Sequence, residues 1–397
     1  MRRSVVLGAA GAALGMGLVI GVIAANSMPG ARPTPPPVAA ASPSATPAPT
    51  PTPTLVPTPT PTPTPVPTPT PVPTPVLVPG PLTGLPVTPE IARRHPVAVM
   101  IDDLRPARPQ SGLSDASIVW HAPAEGGIPR YMAIFQDTFP KEIGPVRSAR
   151  QYYIGWASEW KAVYAHAGGS PQALATLRAK GNGKLVYNAE VFRWEGRYFT
   201  RNPKRDAPHN VYTTGKKLRT LARKLGAKDK DYKPAWKFAP DAPLEARPYG
   251  GSISVSYSAN KVTYRYHHAS NTYRRAVTGA SKQIDAGNDE RVAPKNVIVM
   301  LVRFAPLNDG SKKHRLEATY IGSGKAWIST NGRTIKGTWK KTANTKPTRF
   351  YDKNGNQVVL TAGQTFIQVL PTGSPVTIKK GSDTPPATPT PEPTATP

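Results

Sequence analysis

The residues able to bind ligands or move protons fall into four short polar motifs. They are Glu125-Gly-Gly-Ile-Pro-Arg130, Gly144-Pro-Val-Arg147-Ser-Ala-Arg150, His166-Ala-Gly-Gly-Ser170 and Pro208-His209-Asn210-Val-Tyr212. Arginine forks match phosphate and carboxylate geometry. Arg147 and Arg150, three apart, would share one side of a helix's first turn. Gly168-Gly169-Ser170 would leave backbone N–H groups free at a helix start, where anions bind. Glu125 suits a general base or a partner for an arginine. His166 and His209 suit proton exchange or hydrogen-bond donation. The expectation is that Glu125, Arg130, Arg147, Arg150, His166, Ser170, His209 and Asn210 converge on one ligand-binding cleft at strand ends, where layered folds usually build sites. The same residues also read as a buried ion-pair network that braces loops, and the two readings stay open at this stage.

Other chemistry is excluded or weakened. There is no Cys, which removes thiol catalysis, thiolate metal sites, disulfides and lipid attachment through Cys. No H-E-x-x-H, G-x-S-x-G or Gly-rich nucleotide loop occurs. His267 and His268 are neighbours that a strand would turn to opposite faces, a poor metal pair. No metal and no cofactor are expected, and no catalytic residue is assigned. Ser170, between Gly-Gly and Pro171, reads as a helix cap more readily than as a nucleophile.

The elements that must position these motifs follow from apolar patterning. Pro96–Ile101, Ile118–His121, Arg130–Gln136 and Ala162–His166 read as buried strands. A helix is expected from a Ser148 cap to Trp160, with Tyr152, Trp156 and Trp160 on one face. A second helix starts at Ser170 and stops at Gly181, and a third runs from Thr214 to Leu225. Beyond residue 250 the pattern alternates: Ile253, Val255 and Tyr257, then Val262, Tyr264 and Tyr266. Asn296–Phe304 is a longer apolar run, and Asn331-Gly332 and Asn354-Gly355 mark tight turns. The fold class expected is α/β (α+β), a layered mixed-sheet domain over 81–250 packed with a β-rich region over 251–380. Residues 227–250, with Trp236 and Phe238, read as a packed strap between them.

Of the 397 residues, 49 are Pro, concentrated in 29–80 and 381–397 with Thr, Ala and Val. Those tracts cannot bury enough apolar surface to offset the entropy of ordering, and a disordered spacer and a disordered tail are expected. Residues 1–28 open with Met1-Arg2-Arg3 and then run without charge from Ser4 to Ala25. That reads as an export signal long enough to remain as a membrane anchor, although Ala24 and Ala25 would permit cleavage. The location expected is the cell membrane, with the folded part extracytoplasmic.

The motifs in order, P-L-T-G-L-P (81–86), R-P-Q-S-G-L (108–113), E-G-G-I-P-R (125–130), I-G-P-V-R-S-A-R (143–150), H-A-G-G-S (166–170) and P-H-N-V-Y (208–212), resemble the YerB-like family. G-K-A-W (324–327), G-T-W-K-K (337–341), R-F-Y-D (349–352) and G-Q-T-F-I-Q (363–368) resemble its C-terminal part. The resemblance covers nearly all of 81–371. It implies a bacterial extracytoplasmic protein, usually lipid-anchored, with N- and C-terminal parts and no established activity. This chain lacks the family's lipid-bearing Cys, and the Ser4–Ala25 run would take its place.

With 51 Lys+Arg against 23 Asp+Glu the formal net charge is +28. The surface of the second region is expected to be basic through Lys312-Lys313-His314-Arg315, Lys340-Lys341, Lys346 and Arg349. Basic and aromatic residues together suit nucleic acid, but an exported chain meets little of it, so no nucleic-acid partner is expected. Anionic cell-wall polymers or an envelope protein are nearer partners. Two functions remain: a non-catalytic envelope module that recognises an anionic wall component or a wall-synthesis protein, and a cell-wall hydrolase or transferase using Glu125, His166 and His209. The lack of any familiar catalytic spacing favours the first.

Overall fold

Strand β1 (Val97–Asp102) is buried at every position, as its uninterrupted apolar run requires. It lies within an eleven-stranded mixed sheet in the computed structural model, which describes residues 76–386. The other strands used below are β2 (Ile118–Glu125), β3 (Ile128–Phe135), β4 (Val163–His166) and β5 (Tyr187–Glu190). From the later part of the chain come β6 (Ser252–Ser256), β7 (Lys261–His267), β8 (Thr272–Val277), β9 (Asn296–Pro306) and β10 (Leu316–Thr319). They are followed by β11 (Gly322–Thr330), β12 (Arg333–Lys341), β13 (Arg349–Tyr351), β14 (Thr365–Pro371) and β15 (Val376–Lys379). The main helices are α1 (Gln151–Ala157), α2 (Pro171–Lys180) and α3 (Gly215–Lys224). The expected anchor, most of the expected disordered spacer and the last eleven residues of the expected tail lie outside the described residues.

The large sheet runs β13-β12-β11-β9-β14-β2-β3-β1-β4-β5, with β10 on the flank of β9. β14 carries the join: it pairs in parallel with β9 over Asn296–Val302 and with β2 over Ile118–His121. The strands of the two sequence regions therefore share one sheet. A second, four-stranded antiparallel sheet, β8-β7-β6-β15, packs on one face through Ile253, Val255, Val262 and Tyr264 together with α3. On the opposite face α1 and α2 bury Tyr152, Tyr153, Trp156, Ala173 and Leu177 against Ala98, Met100 and Trp120. The molecule is thus a layered α+β fold, rich in strand.

Most local expectations hold for the reasons that suggested them. Ser170 caps α2 by accepting from Ala173 N at 3.3 Å, with Pro171 first in the helix. Thr214 caps α3 in the same way. Asn331 and Gly332 both take positive φ at the β11–β12 turn. The strap is packed: Trp236 is buried, its Nε1 donates to Thr348 O at 2.8 Å, and Lys237–Ala239 pair in parallel with Val359–Thr361. Two expectations are corrected. Ser148 does not cap α1, which begins at Gln151 and ends at Ala157, followed by a 3-10 turn over Ser158–Trp160. Residues 147–150 stay extended because Arg147 N and Ala149 N are taken by Met100 O and Gly168 O. Lys341, expected on the basic surface, is buried.

Lys341 Nζ donates to Glu159 Oε1 at 2.8 Å, to Asn344 O at 3.0 Å and to Lys346 O at 2.6 Å. Glu159 also accepts from the Thr348 hydroxyl and backbone. Both charged side chains are fully enclosed. This pair fastens the turn after α1 to β12. Lys341→Met would leave the Glu159 carboxylate buried without its cation, and we expect a loss of about 3–5 kcal/mol in urea unfolding. Adding Glu159→Gln should recover part of that loss, since no charge then remains buried. A single Lys341→Met variant as stable as the parent would show that the pair fastens nothing.

Candidate functional site

The polar motifs meet at the ends of β1–β4. Gly126 and Gly127 take positive φ in the tight turn between β2 and β3, which sets Glu125 and Arg130 facing one another. Glu125 Oε2 accepts from Arg130 Nη2 at 2.9 Å, while Oε1 accepts from Arg150 Nη2 and lies 3.7 Å from Arg315 Nε. One carboxylate thus serves three guanidiniums. Arg130 also donates to Ser148 O at 3.1 Å, which pins the extended 147–150 segment to β3. Arg315, supplied from just before β10, donates to Asp309 as well.

Asp102, at the end of β1 and in register with Arg130, organises the second half. Its Oδ2 lies 2.9 Å from Arg147 Nε and 2.7 Å from His209 Nδ1, and its Oδ1 accepts from Leu104 N at 3.1 Å. The Arg147 contact is an ion pair rather than an aligned hydrogen bond, because Nε has no partner in hydrogen-bond geometry. Arg147 Nη1 donates weakly to Pro208 O at 3.4 Å. Alongside, Ala167 N donates to Arg147 O and Ser170 N to Ala149 O, so the 147–150 and 167–170 motifs lie edge to edge.

The structure therefore joins Glu125, Arg130, Arg147, Arg150 and His209 in a single polar joint, with His166 and Ser170 beside it in supporting roles. His166 is buried, which holds its ring neutral. Its Nδ1 lies 2.8 Å from Gly168 O, a group that can only accept, so the ring proton sits there. Its Nε2 faces the Asn188 amide at 2.8 Å. Ser170 Oγ is spent on the α2 cap. Asn210 does not join: its Oδ1 accepts from Arg201 on the outer side.

Sequence reasoning missed Asp102, Arg315 and a larger buried network behind the joint. Asp103 turns the other way from Asp102, into the layer between the two sheets. It accepts from Tyr131 OH at 2.9 Å, Arg108 Nη2 at 3.0 Å, His121 Nε2 at 2.9 Å and Asn260 Nδ2 at 2.7 Å. Burial alone would raise its carboxyl, but the bond and charge of His121, then Arg108 and Arg275, hold it below the usual range. Burial disfavours protonation of His121 itself, against the pull of the Asp103 carboxylate. Arg275, fully buried on β8, stacks over Tyr131 and Tyr264 at 5.3 and 5.6 Å. The available signal was Asp-Asp ending an apolar strand.

As chemistry, the joint holds Glu125 and His166 by partners on both sides, while His209 is held through Nδ1 by Asp102 and has no hydrogen-bond partner at Nε2. It also offers a surplus of cations, since Arg130, Arg147, Arg150 and Arg315 outnumber Glu125, Asp102 and Asp309. Burial and the neighbouring Arg130 push the Arg150 guanidinium down to about 10, a mark of that crowding. Among the described residues no three His, Cys, Asp or Glu side chains lie close enough together to hold a metal, and no helix is long and apolar enough to cross a membrane.

The fold and this joint define a mixed-sheet α+β protein whose strand-end polar residues are tied together by shared carboxylates. The chain belongs to the DUF3048 family, proteins of unknown function, matching the family's N-terminal domain over residues 82–228 and its C-terminal domain over 253–367. It is 32% identical over 309 residues to the Bacillus subtilis (strain 168) protein named "Putative lipoprotein YerB", covering 76% of this chain and 88% of that one. The crystal structure of YerB from Bacillus subtilis superposes with a TM-score of 0.67 at 28% identity, over 76% of this chain and 99% of that chain.

Burial tends to raise the Glu125 carboxyl, but Arg130, Arg150 and Arg315 together hold it below the usual carboxylate range. A depressed folded-state value means that the pairing stabilises the protein above the unfolded value of about 4.3. That stabilisation is lost as the pH falls through the lower folded value. Glu125→Gln should therefore be less stable by about 3–5 kcal/mol at neutral pH, because three guanidiniums lose their shared anion. The gap to the parent should narrow in unfolding measurements carried below about pH 4. A gap that does not change with pH would contradict the shared-carboxylate account.

Proposed function

We infer that this protein is a non-catalytic module of the cell envelope that recognises an anionic wall component through its arginine-rich joint. The observation that carries this reading is the surplus of guanidiniums at the joint, where Arg130, Arg147, Arg150 and Arg315 share Glu125, Asp102 and Asp309. Glu125 is shared by three of them and His166 is enclosed between Gly168 and Asn188, so neither is free to take a proton. His209, held by Asp102 at Nδ1 with Nε2 unpaired, is the one group left to the hydrolase reading. Arg147, with a 17% exposed side chain and a loosely aligned partner, is the member placed to meet an incoming anion. A wall-synthesis protein bearing an acidic patch would satisfy the same chemistry.

The location follows the same reading. The relative's name describes a lipoprotein, this chain has no Cys, and the charge-free Ser4–Ala25 run supplies the anchor that a lipid would otherwise provide. The folded part is then held outside the membrane by the Pro-Thr spacer. Protease added to intact cells should remove the folded part. A chain recovered whole from the cytosol would end this assignment.

Binding and turnover of purified peptidoglycan fragments by the full chain test the function. We expect saturable binding without product formation. Arg147→Ala should weaken that binding roughly ten- to a hundredfold, the loss of one charge-assisted contact; because it also takes the arginine from the buried Asp102 it should lower the melting temperature, so binding is read where the variant is still folded. Release of cleaved fragments, abolished by His209→Gln in a variant that remains folded, would instead establish the enzyme.

A further inference from the structure

We propose that the outer face of the four-stranded sheet is a binding surface for a linear phosphate-bearing polymer, laid across the strands. The proposal rests on the reading of the protein as a module for anionic wall components and gives it a second surface, separate from the arginine-rich joint.

The alternation that buries Ile253, Val255, Val262 and Tyr264 sends every other residue outward. Cross-strand register then builds a row. Lys379 lies opposite Ser252, Ser252 opposite Arg265, and Arg265 opposite Arg274. Arg291 follows on the segment beside β8, whose neighbour Val292 accepts from Arg275 N. A parallel row places Thr377, Ser254 and Thr263 side by side. At about 4.8 Å between strands, the four-residue row spans roughly 14 Å.

No Asp or Glu occurs in any of these four strands. Among the described ion pairs none involves Lys261, Arg265, Arg274, Arg291, Lys379 or Lys380. Arg291 Nε is enclosed and has no hydrogen-bond partner. Like charges placed directly opposite on a sheet are destabilising, yet Arg265 faces Arg274 with no carboxylate between them. The local field is evident at His267: burial first, then Arg274, His268 and Arg291, disfavour its protonation. Such uncompensated repulsion costs stability and is relieved by a bound anion.

The shape and donor types choose the occupant. The outer face of β15, β6 and β7 lines an open groove of about 720 Å³ that holds Lys261, Arg265, Lys379 and Lys380 and is roomier than a single small anion needs, and Arg274 continues the row on β8 beside it. Arginine forks alternate with Ser and Thr hydroxyls, donors from several directions that suit the tetrahedral oxygens of phosphate; a planar carboxylate is satisfied by one fork. Tyr266 is the one aromatic residue in the groove lining, and its ring is buried against Tyr273, so nucleobases have no exposed ring to stack on. The face also lacks the apolar side chains that a membrane-inserting surface carries.

The test uses the full chain and three probes: inorganic polyphosphate, poly-glutamate and phosphatidylglycerol vesicles. The variants are Arg265→Ser/Arg274→Ser and Arg147→Ala. We expect polyphosphate to bind and the double variant to bind it roughly ten- to a hundredfold more weakly. The double variant should melt at the same or a higher temperature, because it removes a repulsion. Arg147→Ala should keep polyphosphate affinity, and the double variant should keep affinity for peptidoglycan fragments. Polyphosphate binding that depends on Arg147 and ignores the double substitution overturns this surface and leaves the module reading standing. Equal binding of poly-glutamate overturns the phosphate class, and binding to vesicles alone overturns the polymer. Failure of every probe and of the peptidoglycan fragments to bind overturns both readings.

Discussion

The fold depends on one late strand finding its place in the middle of the sheet. β14, near the end of the folded chain, enters between β9 and β2 and pairs in parallel with both. Six of its seven residues are buried. Parallel neighbours cannot be joined by a tight turn, so the order of the sheet departs from the order of the chain. The Gln364 amide, just before β14, donates to the carbonyls of Leu113, Ser114 and Ala116 and fixes the register against β2. Asn296, at the start of β9, donates to Thr361 O and receives Thr361 N. The family's N- and C-terminal portions are therefore two halves of one hydrogen-bonded layer, and neither half carries a complete sheet without the other. Such long-range pairing makes for slow folding, because loop closure precedes its reward.

The polar joint and the buried network behind it are consequences of that sheet. β1 ends at Asp102 and Asp103 follows it directly, and the two side chains turn to opposite sides. Asp102 faces the arginines of the joint. Asp103 faces Tyr131, His121, Arg108 and Asn260, residues drawn from four separate stretches of chain. Enclosed charges are tolerated only when paired and hydrogen-bonded. The network meets that condition and links the small sheet, through Asn260 and Arg275, to the end of β1. A disturbance at one aspartate is therefore felt in both layers.

What could be read from the sequence was local. The β1 run, the Ser170-Pro171 cap, the Thr214 cap and the Asn331-Gly332 turn each carry their cause within a few residues. The polar joint was visible as motifs because its members sit at the ends of elements, where no other use for Glu125, Arg147 or His209 was evident. The failures share a reason. Asp103 and Asn260 are 157 residues apart, and Lys341 and Glu159 are 182 apart; no periodicity relates them. Ser148 looked like a cap by type, but its segment stays extended because Met100 and Gly168 claim its neighbours' backbone donors. Asn210 stands beside His209 but leaves the turn over 206–209, and its side chain is taken by Arg201. The sharing of one sheet by both regions depends on pairing between residues 296–302 and 365–371, which no local pattern specifies.

The distribution of acids explains the character of the surface. The chain has only 23 Asp and Glu against 51 Lys and Arg, and several of the acids are spent inside. Asp102, Asp103, Glu125 and Glu159 hold Arg147, Arg108, a trio of arginines and Lys341. Each internal pair removes one scarce carboxylate together with at least one of the more plentiful cations. The ratio of cations to acids is therefore higher outside than in the composition as a whole, and the four strands of the small sheet carry no acid at all. An unrelieved excess opposes the compact state by self-repulsion. The buried pairs and the long mixed sheet must offset it, and an anionic surrounding would relieve it directly. The same scarcity that makes the interior carboxylates indispensable to stability thus leaves the exterior poised for anions.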